Sequence, residues 1–159
     1  MDPLDPTRVA SVLEKLPPHL RPLCRGLDHL GVAVENLDEA LRLYRDLLGL
    51  PLLEIEEIES DGLRAAILEL GSSHLELLEP TGEDGPVAAF LRKRGGGLHH
   101  LALSVEDCAA AVEAFQQAGV RMIDERPRPG AGGKLIAFCH PKSTGGVLVE
   151  LCQRVSRPA

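Results

Sequence analysis

The sequence predicts an α+β fold in which two tandem βαβββ modules form a half-barrel cleft, with an extra helix at the N-terminus. Three observations point there. The stretch Gly26-Leu27-Asp28-His29-Leu30 recurs as Gly97-Leu98-His99-His100-Leu101, 71 residues on, and Val34/Val105, Glu35/Glu106 and Ala40/Ala111 match at the same offset, so the chain is internally duplicated. After each copy, strand-like alternation gives way to apolar residues at three-four spacing. Short apolar runs divided by glycine-rich turns then follow in both copies.

In chain order, residues 1–25 form an extension, where Thr7 is expected to cap a helix carrying Val9, Val12, Leu13 and Leu16 that Pro17-Pro18 breaks. A single domain spans 26–153, with module one at 26–80 and module two at 97–153. Module one opens on a strand from Gly26 to Val34. Asn36 and Glu39 then make a capping box for a helix of about three turns through Ala40, Leu43, Tyr44, Leu47 and Leu48, ended by Gly49. Strands follow at Pro51–Ile58, Leu63–Leu70 and His74–Glu79. Asp84-Gly85-Pro86 starts a short connecting helix, Val87–Arg94, which Gly95-Gly96-Gly97 closes. Module two repeats the order: a strand from Gly97, a helix through Ala111, Val112, Phe115 and Ala118 to Gly119, and strands at Arg121–Glu125, Lys134–His140 and Val147–Leu151.

Composition narrows the function. A net charge of -7, with no basic run longer than Arg92-Lys93-Arg94, argues against nucleic acid as a partner. No apolar run approaches the roughly 20 residues of a membrane helix. The opening Met1-Asp2-Pro3-Leu4-Asp5-Pro6 lacks the basic start and apolar core of a signal peptide, so the cytoplasm is the expected compartment. Cys24, Cys108, Cys139 and Cys152 contain no C-x-x-C pair and are expected to be reduced, mostly buried thiols.

Two strands carry a histidine on a face of small residues. Leu27, His29, Gly31 and Ala33 share one face of the first, and Leu98, His100, Ala102 and Ser104 one face of its repeat, while Leu30, Val32 and Val34 or Leu101, Leu103 and Val105 line the other. His29 and His100 are thus expected to point into a cleft, with Asp28 and His99 pointing away. Each fourth strand embeds an acid in apolar sequence, Glu76 in His74-Leu75-Glu76-Leu77-Leu78 and Glu150 in Val147-Leu148-Val149-Glu150-Leu151. A buried carboxylate needs a cation. Two imidazoles and two carboxylates from repeat-related positions suit a divalent metal of borderline hardness, and four such ligands on an octahedral ion leave two adjacent positions for two substrate oxygens. His74 shares the face of Glu76, either beside the site or in solvent.

These residues resemble the vicinal oxygen chelate superfamily over about residues 26–153, and within it the methylmalonyl-CoA epimerases. Leu27-Asp28-His29-Leu30-Gly31-Val32-Ala33-Val34, Leu75-Glu76-Leu77-Leu78-Glu79-Pro80 and Gly97-Leu98-His99-His100 are similar to that family's segments, and His140-Pro141-Lys142-Ser143-Thr144-Gly145-Gly146-Val147-Leu148-Val149-Glu150-Leu151 is the most specific of them. The resemblance implies that His29, Glu76, His100 and Glu150 ligate a divalent ion, cobalt or manganese. It also implies that (2R)- and (2S)-methylmalonyl-CoA interconvert by loss and return of the C2 proton through a metal-stabilised enolate. Proton groups are needed on both faces of that enolate. Glu150 is the candidate on one. Some family members carry a glutamate at the position of Ala65 for the other, so here Glu76, a metal-bound water or a more distant group could substitute. His140, Lys142 and Ser143 are candidates for substrate contact, with Lys134 a weaker one, and Arg92, Lys93, Arg94 and Lys142 the clustered cations available to CoA phosphates. The resemblance implies a homodimer. A glyoxalase I-type lyase acting on a glutathione hemithioacetal would use the same ligands. A metal-free binding protein of this fold would not need them, and a ring-cleaving dioxygenase would use three ligands.

Overall fold

The computed structural model describes residues 4–155. Its contacts divide the chain into two compact units: Asp28–His100, and the residues up to Leu27 together with those from Leu101 onward. The division falls inside two strands, β1 (Cys24–Ala33) and β5 (Gly97–Val105).

Within Asp28–His100, β1 leads into helix α2 (Leu37–Leu41), followed by strands β2 (Leu52–Ile58), β3 (Leu63–Leu70) and β4 (Ser73–Pro80) and helix α3 (Pro86–Arg94). The strand order is β2-β3-β4-β1; β4 pairs antiparallel with β3 and parallel with β1. One sheet face packs Leu75, Leu77, Ala66 and Leu68 against Leu37 and Leu41 of α2. The other packs Leu63, Ala65 and Leu78 beside Val87, Phe90 and Leu91 of α3. Asn36 caps α2 as expected, accepting the Glu39 N–H at 3.0 Å. Beyond Leu41 the expected α-helix departs from the α form. Residues Arg42–Leu47 are π-helical, with the Leu48 N–H bonded to the Leu43 carbonyl five residues back. The wider turn takes three-four spacing out of register with the core. Tyr44 still packs inward, while Leu43, Leu47 and Leu48 of the expected apolar face are exposed.

In the other unit, α1 (Pro6–Lys15), β6 (Arg128–Pro129), β7 (Leu135–Cys139) and β8 (Val149–Gln153) accompany α4 (Cys108–Ala118) and the end of β5, in strand order β5-β8-β7-β6. The N-cap of α1 is Asp5, whose carboxylate accepts the Thr7 N–H, so Thr7 is capped rather than capping. The expected strand at Arg121–Glu125 does not form. The N–H groups of Ile123 and Asp124 converge on the Phe138 carbonyl, and the Asp124 carboxylate accepts the Phe138 N–H at 2.9 Å. A side chain therefore takes a place in the ladder. One bridge, Met122 to Cys139, and the two-residue β6 are what pair with β7 there.

Cys108, Cys139 and Cys152 are buried and outside any disulfide, whereas Cys24 is exposed. Burial, with the nearby charge of Glu150 adding to it, pushes Cys108 up to about 12, and burial pushes Cys139 up to about 11. No helix among the described residues is long and apolar enough to cross a membrane.

Candidate active site

Strand alternation from Asp28 onward puts His29, Gly31 and Ala33 on one face of β1, and the parallel register sets them beside His74, Glu76 and Leu78 of β4. His29, Glu76 and His100 are each at most 5 % exposed. Their polar atoms converge. His29 Nε2 lies 3.0 Å from His100 Nε2 and 3.4 Å from Glu76 Oε2. Gly31 makes this possible: a Cβ there would stand 2.7 Å from His100 Nε2 and closer still to the rest of the ring. Any side chain at residue 31 would therefore occupy the seat of the imidazole.

Asp28 and His99 do not point away from the site. The Asp28 carboxylate is 1 % exposed and accepts from His29 Nδ1 at 2.8 Å. His99 Nδ1 meets His100 Nδ1 at 3.0 Å and its ring stands edge-on to Phe90. Their Cβ atoms leave the strand on the opposite side, but a short or planar side chain can still reach the Nδ1 edge of the next imidazole. Burial lowers the pKa of His99, which keeps it neutral and able to accept from His100 Nδ1. A carboxylate on one imidazole and a neutral ring on the other fix both tautomers so that Nε2 carries the lone pair.

The donor set fits a divalent ion. Two ligand atoms held about 2.1 Å from one ion lie about 3.0 Å apart at a right angle and about 3.4 Å apart at a tetrahedral angle. The two separations from His29 Nε2, 3.0 and 3.4 Å, match these values. Two imidazoles and a carboxylate, backed by a second carboxylate, are also the mixed donors that suit ions of intermediate hardness.

The remaining candidate residues lie in the other unit or at the end of α3. Glu150 is 3 % exposed on β8, in register with Ala102 on one side and Phe138 on the other. His140 caps the short turn Pro141–Ser143, its Nδ1 accepting the Lys142 N–H at 3.1 Å, and Ser143 Oγ accepts the Arg121 N–H at 2.9 Å. Both side chains therefore shape their own loop. Burial and the neighbouring cations Arg121 and Lys142 lower the His140 pKa, in keeping with that accepting role. Lys142 is exposed and Lys134 buried. In the last turn of α3, Arg92 donates to the Glu83 carbonyl and the Arg94 guanidinium lies 5.6 Å over the Phe90 ring.

The model of the glyoxalase/bleomycin resistance protein/dioxygenase superfamily matches residues 28–138. The chain belongs to this superfamily. Within the superfamily it falls among the methylmalonyl-CoA epimerases. The mitochondrial methylmalonyl-CoA epimerase of Mus musculus is 40% identical over 128 residues, which is 80% of this chain and 72% of that one. The crystal structure of methylmalonyl-CoA epimerase from Mycobacterium tuberculosis superposes with a TM-score of 0.82 at 38% identity, covering 86% of this chain and 92% of that one. A methylmalonyl-CoA epimerase solved in complex with methylmalonyl-CoA and NH4+ superposes with a TM-score of 0.81 at 37% identity, covering 84% and 96%.

Sequence reasoning missed the roles of Asp28, His99 and Gly31. Each sits within two residues of a candidate ligand, and that adjacency was the available signal. A buried acid next to a histidine on a strand is unusual enough to mark a partner.

Proposed function

We propose that this superfamily member interconverts (2R)- and (2S)-methylmalonyl-CoA, and that His29, Glu76, His100 and Glu150 hold a divalent ion, cobalt or manganese, for that reaction. The observation that carries the reading is the convergence of His29 Nε2, His100 Nε2 and Glu76 Oε2 on a buried face. Glu150 joins the set through the sequence repeat and the resemblance. The relatives named above support the substrate class, a CoA thioester.

A divalent ion held by these residues would supply Lewis-acid stabilisation of the negative charge that develops when the C2 proton leaves. The chain's own residues do the rest. Asp28 and His99 hold the two imidazoles in the tautomer that presents Nε2. Glu150 takes the C2 proton on one face of the acyl group and delivers one to that same face in the reverse direction. Buried Ile67, Leu78 and Ala65 keep water from the carbanionic carbon. The cations Arg92, Lys93, Arg94 and Lys142 draw the CoA phosphates toward an otherwise acidic protein. His140, Lys142 and Ser143 line the loop before Glu150, where substrate oxygens are met. The protein acts as a homodimer.

The test follows the C2 proton by NMR in deuterated water, with each epimer supplied separately to protein stripped of metal and then reloaded with cobalt or manganese. Metal-dependent exchange, with both epimers converging on one mixture, is expected. A folded, metal-loaded protein that exchanges neither epimer would overturn the substrate assignment, and glutathione hemithioacetals would be assayed next.

A further inference from the structure

Inversion at C2 needs two proton groups, because one group alone returns the proton to the face it left. On the reading above Glu150 serves one face, and Glu76 is drawn against His29 at 3.4 Å. The other face remains to be supplied. Residues paired directly across a sheet share a face. Across β3 and β4, Ile67 stands beside Glu76 and Ala65 beside Leu78. One strand further out, Glu54 stands beside Ile67 and Glu56 beside Ala65, while Gly31 and Ala33 complete the two rows on β1. The face that carries His29 and Glu76 therefore carries Glu56 on its outer strand. Ile58, two residues on, has the same direction, since it packs with Leu63, Ala65 and Leu78.

Three features single Glu56 out on this face. It is half-buried, whereas Glu54 in the next row and Glu69 at the strand end are exposed. Only the methyl of Ala65 stands between it and β4, whose backbone lies about 9.6 Å from that of β2, two strand spacings away. A small neighbour there lets the Glu56 side chain lean along the face toward β4. The two epimers also differ only in configuration at C2, so the two proton transfers are alike and call for groups of like acidity. A second carboxylate beside that of Glu150 in the reaction scheme meets that requirement. The imidazole of His74, on the same face, does not.

We infer that Glu56 is the second acid/base group of the reaction, an assignment that rests on the epimerase reading. Glu56 takes the C2 proton of one epimer, the C–H electron pair becomes the second bond between C2 and the thioester carbon, and the carbonyl π pair moves onto the thioester oxygen, from which it returns when C2 is reprotonated. Protonated Glu150 then delivers a proton to the opposite face of C2. In the reverse direction the two carboxylates exchange roles, so protons and charge balance over one turnover in each direction.

The experiment compares wild-type protein, Glu56→Gln, Glu57→Gln on the opposite sheet face, and His74→Gln, each fully metal-loaded and given the (2R) and (2S) thioesters separately in deuterated water. Glu56→Gln is expected to slow interconversion at least about 100-fold. It should still wash deuterium into one epimer with retention of configuration, through Glu150, and leave the other unexchanged. Glu57→Gln is expected to behave as wild type. Binding of propionyl-CoA by Glu56→Gln, measured by calorimetry, should match wild type and report an intact site. Wild-type exchange and inversion by Glu56→Gln would overturn the assignment, as would equal loss of exchange from both epimers. One-face loss in His74→Gln would move the role to His74. No exchange by the wild-type protein would overturn the underlying reading instead.

Discussion

Replacing Gly31 by alanine adds one methyl at the point where the structure leaves room for a ring. The added Cβ would lie 2.7 Å from His100 Nε2 and nearer still to Cε1 and Nδ1, whereas ordinary contact begins at 3.4 Å. Gly31 is not among the glycines with positive φ, so its backbone accepts alanine and the clash alone is tested. The imidazole must retreat by about 0.7 Å merely to relieve Nε2, and metal–ligand distances tolerate about 0.2 Å. His100 would then drop out of the proposed ligand set, and its 3.0 Å contact with His99 Nδ1 would be strained. Overpacking of this kind costs about 1–3 kcal/mol, which lowers Tm by roughly 2–4 °C per kcal/mol for a chain of this size. Cobalt titration followed by visible absorption, beside a thermal melt, reads both effects. Gly31→Ala should bind cobalt at least about 10-fold more weakly and melt lower. Wild-type affinity together with a wild-type Tm would refute the argument that this glycine exists to seat His100.

Other perturbations test neighbouring parts of the structure. Asp28→Asn keeps the shape of the His29 partner but removes its charge, and should weaken cobalt binding by about 10- to 100-fold in the same titration. Cys108 and Cys139 ionise only near about 12 and about 11 when folded, against 9.0 for the unfolded chain. Folded pKa values raised above the unfolded ones stabilise fully below pH 9 and lose that stabilisation as pH climbs toward 11 and 12. At pH 10.5 each thiol has lost about 2 kcal/mol, so urea denaturation at pH 8 and pH 10.5 should show Cys108→Ala with the smaller drop. Asp124→Ala deprives the Phe138 N–H of its acceptor and Arg128 of its ion-pair partner at 3.2 Å, and should cost about 1–3 kcal/mol in urea denaturation.

Legibility in the sequence varied from element to element for physical reasons. The strand ranges around His29 and Leu63–Leu70, and the caps at Asn36 and Gly119, were readable because alternation and capping act over a few residues. The π-helical turn at Arg42–Leu47 was not, since its apolar spacing also suits an α-helix and the choice depends on what the sheet beneath can receive. The missing strand at Arg121–Glu125 failed for a related reason. The Asp124 side chain competes with the backbone for the Phe138 N–H, and a pattern of apolar residues does not register that competition.

By itself the sequence determined the order of elements apart from the strand expected at Arg121–Glu125 and the π-helical turn at Arg42–Leu47, the faces on which His29, His100, Glu76 and Glu150 stand, and the repeat that relates them. Those are consequences of periods of two and of about three and a half residues, which are set by backbone geometry. The tertiary structure alone decided that Gly31 seats His100 from 69 positions further along the chain, that Asp28 and His99 orient the imidazoles, and that Glu56 stands across from Ala65. Each of these depends on which strand lies beside which and in what register. Register is chosen by the packing of whole faces against their helices, where residues far apart in sequence meet.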